Sequence, residues 1–182
     1  MSNQSYFANY FSVISSRLGE VDSYLLEEGA QMIASAADRG GKIIAVGNGG
    51  SAAMASHVSV DFTKAARVRS INYNEADLIT CFANDYGYEH WVEEAMKAYA
   101  DPIDLAILIS SSGTSKNIIN GAKAAKSIGL EVLTFSGFSS GNPLRALGDI
   151  NYWVESDSFN VIEMTHHIWL VAMVDYLVEK LR

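Results

Sequence analysis

The sequence predicts a three-layer α/β/α domain built on a parallel sheet of about five strands. Three observations carry that prediction. Short apolar runs, Ile43–Val46 and Asp104–Ile109 above all, have the length and continuity of strands buried on both faces. Stretches of helical length separate them, as right-handed crossovers between parallel strands require. Two of the runs also lead through a polar loop straight into a helix, the arrangement that presents ligand sites at the carboxyl edge of an α/β sheet. The chain of 182 residues is long enough for one substantial core, and 49% hydrophobic content with only two prolines favours a compact fold.

Residues 5–19 read as a helix, with Phe7, Phe11, Ile14 and Leu18 at helical spacing and Tyr6 and Tyr10 widening the stripe. Ahead of the first strand this helix has no sheet to pack on, so its aromatic face either folds back later or buries against a second copy of the chain. Residues 21–39 supply a second helix, with Leu25, Leu26, Met32, Ile33 and Ala36 on its apolar side, and Gly40 and Gly41 lead out of it. Strand 43–46 follows. Gly47, Asn48, Gly49 and Gly50 then suit a sharp turn, Ser51 is the expected N-cap, and residues 52–64 form a helix free of Gly and Pro.

Residues 68–73 read as a second strand and 75–82 as a short helix. A polar, aromatic loop over 83–88 separates it from the helix at 90–99. After strand 104–109, residues 110–115 carry five hydroxyls in six positions and open the helix 116–128. Strands are expected at 131–135 and 150–154, joined by a turn-rich crossover. A long last helix runs to Leu181, capped by Ser156 or Ser158. With neither repeats nor linkers, residues 1–182 read as one domain, with 1–40 as a helical extension for oligomerisation.

Thirteen basic against 21 acidic residues give a net charge of −8, which argues against a nucleic-acid binder but leaves a small anionic ligand open. Cys81 is the only cysteine, which excludes an intrachain disulfide and a cysteine-based metal site. No signal-peptide pattern and no apolar run of membrane-spanning length is visible, so a cytoplasmic location and no membrane partner are expected.

A strand, a glycine loop and a helix N-terminus together aim N–H groups and a dipole at one spot, where a phosphate is the expected guest. The serine loop repeats that logic with hydroxyls. His57 and Asp61 lie at i and i+4 and so share one face of the helix opened by the glycine loop. Glu163, His166 and His167 sit on the terminal helix. Adjacent residues point roughly 100° apart, so the two histidines do not both face one site closely. A zinc site drawn from His57, Asp61, Glu163 and one histidine is stereochemically open, although no spacing demands it.

The motifs GNGGSAAMASH, ANDYGY, LISSSGTS and IEMTHHIW together resemble the sugar isomerase (SIS) domain family, and within it the phosphoheptose isomerases. The resemblance implies a flavodoxin-like fold with extra N-terminal helices, a phosphorylated sugar as ligand and a homotetramer. It implies substrate contacts from Asn48, Gly49 and Ser51 in the first loop and from Ser110, Ser111, Ser112 and Ser115 in the second. Asn84 and Asp85 match a pair over the sugar, and His57 matches a histidine of a metal-linked site. Asp61 stands where the family's base is a glutamate, one methylene longer. Glu163 stands where the isomerases have glutamine, and is assigned to substrate or, with His57 and Asp61, to metal. His166 matches a family histidine, whereas Val171 occupies the place of the family's catalytic one. His167, one turn earlier, is the expected substitute.

Two functions follow. The first is aldose–ketose isomerisation of a phosphorylated sugar, sedoheptulose 7-phosphate in this family, with Asp61 as base and His167 or His166 as its partner and zinc as an optional cofactor. The second is a non-catalytic phosphosugar-binding or protein-binding regulator, resembling a replication-initiation regulator built on the same domain. The replaced histidine favours the regulator, and the retained Asp61, His57 and Glu163–His167 pair favour the enzyme.

Overall fold

The computed structural model describes residues 5–180. Its five parallel strands are β1 (Ile43–Val46), β2 (Ser70–Asn72), β3 (Leu105–Ser110), β4 (Glu131–Ser136) and β5 (Ile150–Trp153), ordered β2-β1-β3-β4-β5. The helices are α1 (Tyr6–Leu18), α2 (Ser23–Asp38), α3 (Gly50–Lys64), α4 (Ala76–Tyr86), α5 (Trp91–Tyr99), α6 (Lys116–Ile128) and α7 (Phe159–Lys180). From β1 the chain moves to one side to form β2 and then back across to form β3. The loops after β1 and β3 therefore flank the topological switch point, where ligands enter sheets of this kind.

Period-two alternation assigns the two faces. Ile43, Ala45, Leu105, Ile107, Ile109, Leu133 and Phe135 pack under α2, α3 and α7. Ile44, Val46, Ala106, Leu108 and Val132 pack under α5 and α6, with α4 at the margin. Every residue of β1 and β3 is buried, as their unbroken apolar runs require.

The first forty residues are not uniformly an extension. Helix α2, capped by Asp22 accepting from the Tyr24 N–H at 3.0 Å, buries Ala30, Ile33 and Ala36 and belongs to a core layer. The Tyr152 hydroxyl, donating to the Leu25 carbonyl at 2.7 Å, seats it on the sheet. Helix α1 buries no residue and leaves Tyr6, Phe7 and Phe11 61–73% exposed. It leans on α7, where the Trp169 indole N–H donates to the Leu18 carbonyl.

Helix α7 is long and apolar enough to cross a membrane by length and composition, yet half of that stretch is buried inside the domain. It begins at Phe159, and Leu181, where the sequence placed its end, lies outside the described residues. Other boundaries shift for local reasons. Gly49, at φ +55°, turns the chain early enough for α3 to start at Gly50, so Ser51 lies inside its first turn and is not its N-cap. Helix α4 runs on through Asn84 and Asp85 to Tyr86 and stops only where Gly87 takes φ +89°.

Candidate active site

The two loops meet as predicted. Asn48 and Ser51 from the first unit, Ser110, Ser111, Ser112 and Ser115 from the second, and Phe159 and Glu163 from α7 surround a cleft of about 110 Å³. A larger hollow of about 450 Å³, floored by Ala34, Ala37, Ala65 and Ala66, lies by the C-terminal ends of α2 and α3 and holds none of the predicted site residues.

The two halves of the cleft differ in which donors they offer. At α3, the N–H groups of Ser51, Ala52 and Ala53 already donate to the carbonyls of Asn48 and Gly49 at 3.0–3.3 Å. The Glu163 carboxylate also lies against Gly50, so close that a Cβ there would be 2.1 Å from its Oε2. Glu163 Oε1 accepts from the Ser111 hydroxyl at 3.2 Å, and the Ser111 and Ser51 hydroxyls are 3.4 Å apart. At α6, the first backbone bond into the helix is Ile119 N–H to the Ser115 carbonyl at 3.0 Å. Among the described residues, the N–H groups of Lys116, Asn117 and Ile118 donate to no backbone carbonyl, as expected of a helix's first turn. Ser110 donates to the Ser115 hydroxyl at 3.0 Å, and Ser112 and Thr114 pair at 2.9 Å. Gly113, at φ +67°, closes this loop with no space for a Cβ beside Asn142. The open anion cradle is therefore the serine loop, and an internal carboxylate already covers the glycine-loop side.

Helices α3 and α7 touch again farther along. His57 Nδ1 and His167 Nε2 are 2.8 Å apart, with the rings edge-on at 87°. On the far side of the same ring, His57 Nε2 lies 3.1 Å from Asp61 Oδ2. Burial holds the His167 imidazole below its ordinary pKa, the His57 charge adds to that, and Asp61 opposes it. His167 thus reaches His57 from one turn before Val171, which packs partly buried against the apolar core.

Other predicted residues lie elsewhere. His166 is fully buried, its Nε2 is 3.0 Å from the Ser136 carbonyl, and burial pushes its pKa down to about 4. As a catalytic candidate it is therefore corrected to a core residue, because its ring faces the sheet. Asn84 and Asp85 are exposed, bond to each other at 2.8 Å and do not line the cleft, because they sit in the last turn of α4. Among the described residues no three His, Cys, Asp or Glu side chains are grouped to hold a metal ion. Glu163 turns to Ser111, and both His57 nitrogens are engaged by Asp61 and His167. The arrangement does not fit a zinc ligand set of His57, Asp61 and Glu163. The sequence reading missed Asn117 and Tyr88, which both bond to Asn48. A polar residue in the first turn after a ligand loop was the partial signal for Asn117, whose burial and partner the sequence does not show.

The model for the SIS domain matches residues 6–137. The chain belongs to the SIS domain family. This SIS domain is 36% identical over 158 residues to a protein of Thermoplasma acidophilum named "Probable phosphoheptose isomerase", covering 83% of this chain and 85% of that one. It is 34% identical over 165 residues to the phosphoheptose isomerase of Thermodesulfovibrio yellowstonii, covering 85% and 82%. Among solved structures, the phosphoheptose isomerase of Neisseria gonorrhoeae superposes with a TM-score of 0.86 at 26% identity, over 94% of this chain and 95% of that one.

Proposed function

We propose that this SIS domain isomerises a phosphorylated sugar between ketose and aldose forms, and that its substrate is sedoheptulose 7-phosphate, converted to a heptose 7-phosphate for lipopolysaccharide or capsule synthesis. The observation that carries this reading is the in-line contact of Asp61, His57 and His167 on the seam between α3 and α7 that begins at the serine cleft. Glu163 at the cleft and His167 in the cluster share a face of α7 and are one turn, about 6 Å, apart. A phosphate held by the serine loop leaves the sugar chain to run along that seam.

The chemistry follows from the donors present. When His57 carries both ring protons, it donates to Asp61 Oδ2 and to His167 Nε2, and neutral His167 is left with an N–H at Nδ1. Asp61 Oδ1, outside that contact, takes the proton from C1 of the ketose, while His167 Nδ1–H protonates the oxygen at C2 and the His57 Nδ1 proton shifts to His167 Nε2, so that His167 stays neutral and an enediol forms. Asp61 then returns its proton to C2, and the C1 hydroxyl proton passes to His167 Nδ1 as the Nε2 proton moves back to His57, leaving the aldehyde at C1. Burial of His167 suits it to work as a neutral acid at pH 7.

We further propose that the working form is a cytoplasmic homotetramer. The His57 cluster lies on a helix surface, and Val60, Met164 and Ile168 beside it in sequence are 42–59% exposed, an apolar rim that a second copy would cover.

The test is incubation of purified protein with a panel of ketose phosphates, following aldose formation with added zinc and with a chelator. Conversion of sedoheptulose 7-phosphate is expected. Binding without turnover on any phosphosugar would replace the enzyme with the regulator.

A further inference from the structure

Asn117, the second residue of α6, is only 2% exposed, yet none of the chemistry above uses it. Its amide forms a reciprocal pair with Asn48. Asn48 Nδ2 donates to Asn117 Oδ1 at 3.0 Å, and Asn117 Nδ2 donates to Asn48 Oδ1 at 2.9 Å. Tyr88, just past the end of α4, donates its hydroxyl to the same Asn48 Oδ1 at 3.1 Å. An asparagine offers two N–H donors and one oxygen with two lone pairs. The oxygen of Asn48 is therefore filled, one of its N–H groups is spent on Asn117, and the other remains on a side chain that lines the cleft.

We propose that Asn117 and Tyr88 are positioning residues that clasp the two ligand loops together and turn Asn48 so that its remaining amide N–H meets the bound phosphosugar. The proposal rests on the reading that a phosphosugar occupies this cleft. Asn48 stands between Gly47 and Gly49, where the backbone has most freedom, and a lone Asn amide has a broad, weakly defined terminal torsion. Without the clasp, both would be ordered at the moment of binding, at a cost in affinity. Because β1 and β3 are neighbours, a buried side chain in the first turn of α6 reaches the loop after β1 directly. On its other flank the loop is held by Asn74, whose Nδ2 donates to the Gly47 carbonyl at 2.8 Å.

The test uses full-length Asn117→Leu, Tyr88→Phe, Asn48→Ala and the double variant Asn48→Ala/Asn117→Leu, with KM and kcat measured on sedoheptulose 7-phosphate. Asn117→Leu removes two hydrogen bonds and should raise KM about tenfold, and Tyr88→Phe removes one and should raise it about threefold. In both, kcat should change less than KM. In the double variant, Asn117→Leu should add almost nothing to the KM of Asn48→Ala, because the clasp acts only through Asn48. A purely structural tie would lower thermal stability and the folded fraction while leaving KM untouched, and that result overturns the proposal. Fully additive KM effects would overturn it as well. Should Asn117→Leu fail to fold, Tyr88→Phe decides alone, since that side chain is half exposed and outside the core. Wild-type protein that neither binds nor converts the sugar overturns the cleft reading and the clasp with it, whereas active wild type with indifferent variants overturns the clasp only.

Discussion

The unit β1–glycine loop–α3 and the unit β3–serine loop–α6 share one plan, a buried strand leading through a tight loop to a helix N-terminus, but they are put to different uses. In α6 the first-turn N–H groups find no backbone partner and hydroxyls surround them. In α3 two of the three equivalent donors, the Ser51 and Ala52 N–H groups, are absorbed by the carbonyls of Asn48 and Gly49, and Glu163 is packed on Gly50. Two helix dipoles aimed at one cleft would both favour an anion. One of them is met from within the protein, so the proposed phosphate site is at the other, with α3 proposed to present Asp61 and His57 farther along. A helix N-terminus is thus an anion site only when its donors are unspent, a property that sequence motifs do not encode.

That division of labour is open to attack at several points. The largest effect is expected at Asp61. Asp61→Asn keeps the size and the contact to His57 but removes the proton acceptor, so turnover should fall roughly 10²–10⁴-fold while phosphosugar affinity hardly moves. An equal loss in both would mean that α3 binds rather than reacts. Next comes the cradle. Ser110→Ala with Ser112→Ala should raise the phosphosugar dissociation constant at least about tenfold, since bonds to a charged acceptor are worth roughly 1.5–3 kcal/mol each. Calorimetry showing unchanged affinity would place the phosphate on the glycine-loop side after all. Glu163→Gln should act in the opposite sense and more weakly. It removes a like charge beside the cleft, so affinity should rise a few-fold at low ionic strength and the gain should shrink as salt is added.

The smallest effect on activity is expected at His166, whose role is confined to stability. Its folded pKa of about 4 lies below its ordinary 6.5, so the unfolded chain binds the extra proton between those values. Its contribution is therefore complete above pH 6.5 and is lost as pH falls towards 4, amounting to about 3 kcal/mol at most. His166→Gln should flatten the acid limb of denaturant-measured stability over that range and leave neutral-pH turnover near wild type. A large loss of turnover would return His166 to the catalytic residues.

Strand positions, the sheet's parallel order and the meeting of two polar loops were legible because each follows from short-range pattern. Ile43–Val46 and the run ending at Ile109 could hardly be anything but buried strands, and residues 110–115 could hardly be anything but a loop. Helix ends were less legible. Asn84-Asp85-Tyr86-Gly87 reads as punctuation, yet only Gly87 breaks the helix, because a polar residue is tolerated in an exposed last turn. The choice between His166 and His167 was not legible at all. It depends on the rotation of α7 against the sheet, which is fixed by distant packing of Trp169, Leu170 and Met173. Asn117 was hidden for a related reason, since its partner lies 69 positions away.

The bareness of α1 has a consequence for amide hydrogen exchange. Thirteen residues of which none is fully buried, and which lean on the domain chiefly through α7 and Leu18, have little beyond helix propensity to hold most of their N–H groups closed in a lone chain. Their exchange should then run close to that of a fraying segment, whereas α2, with Ile33 at 0% exposure, should exchange only through larger openings. Any protection of α1 beyond that level would have to come from another copy of the chain. Deuterium uptake over residues 6–18, followed as protein concentration is raised, would therefore report the free energy of assembly directly, with α2 of the same molecule as its internal clock.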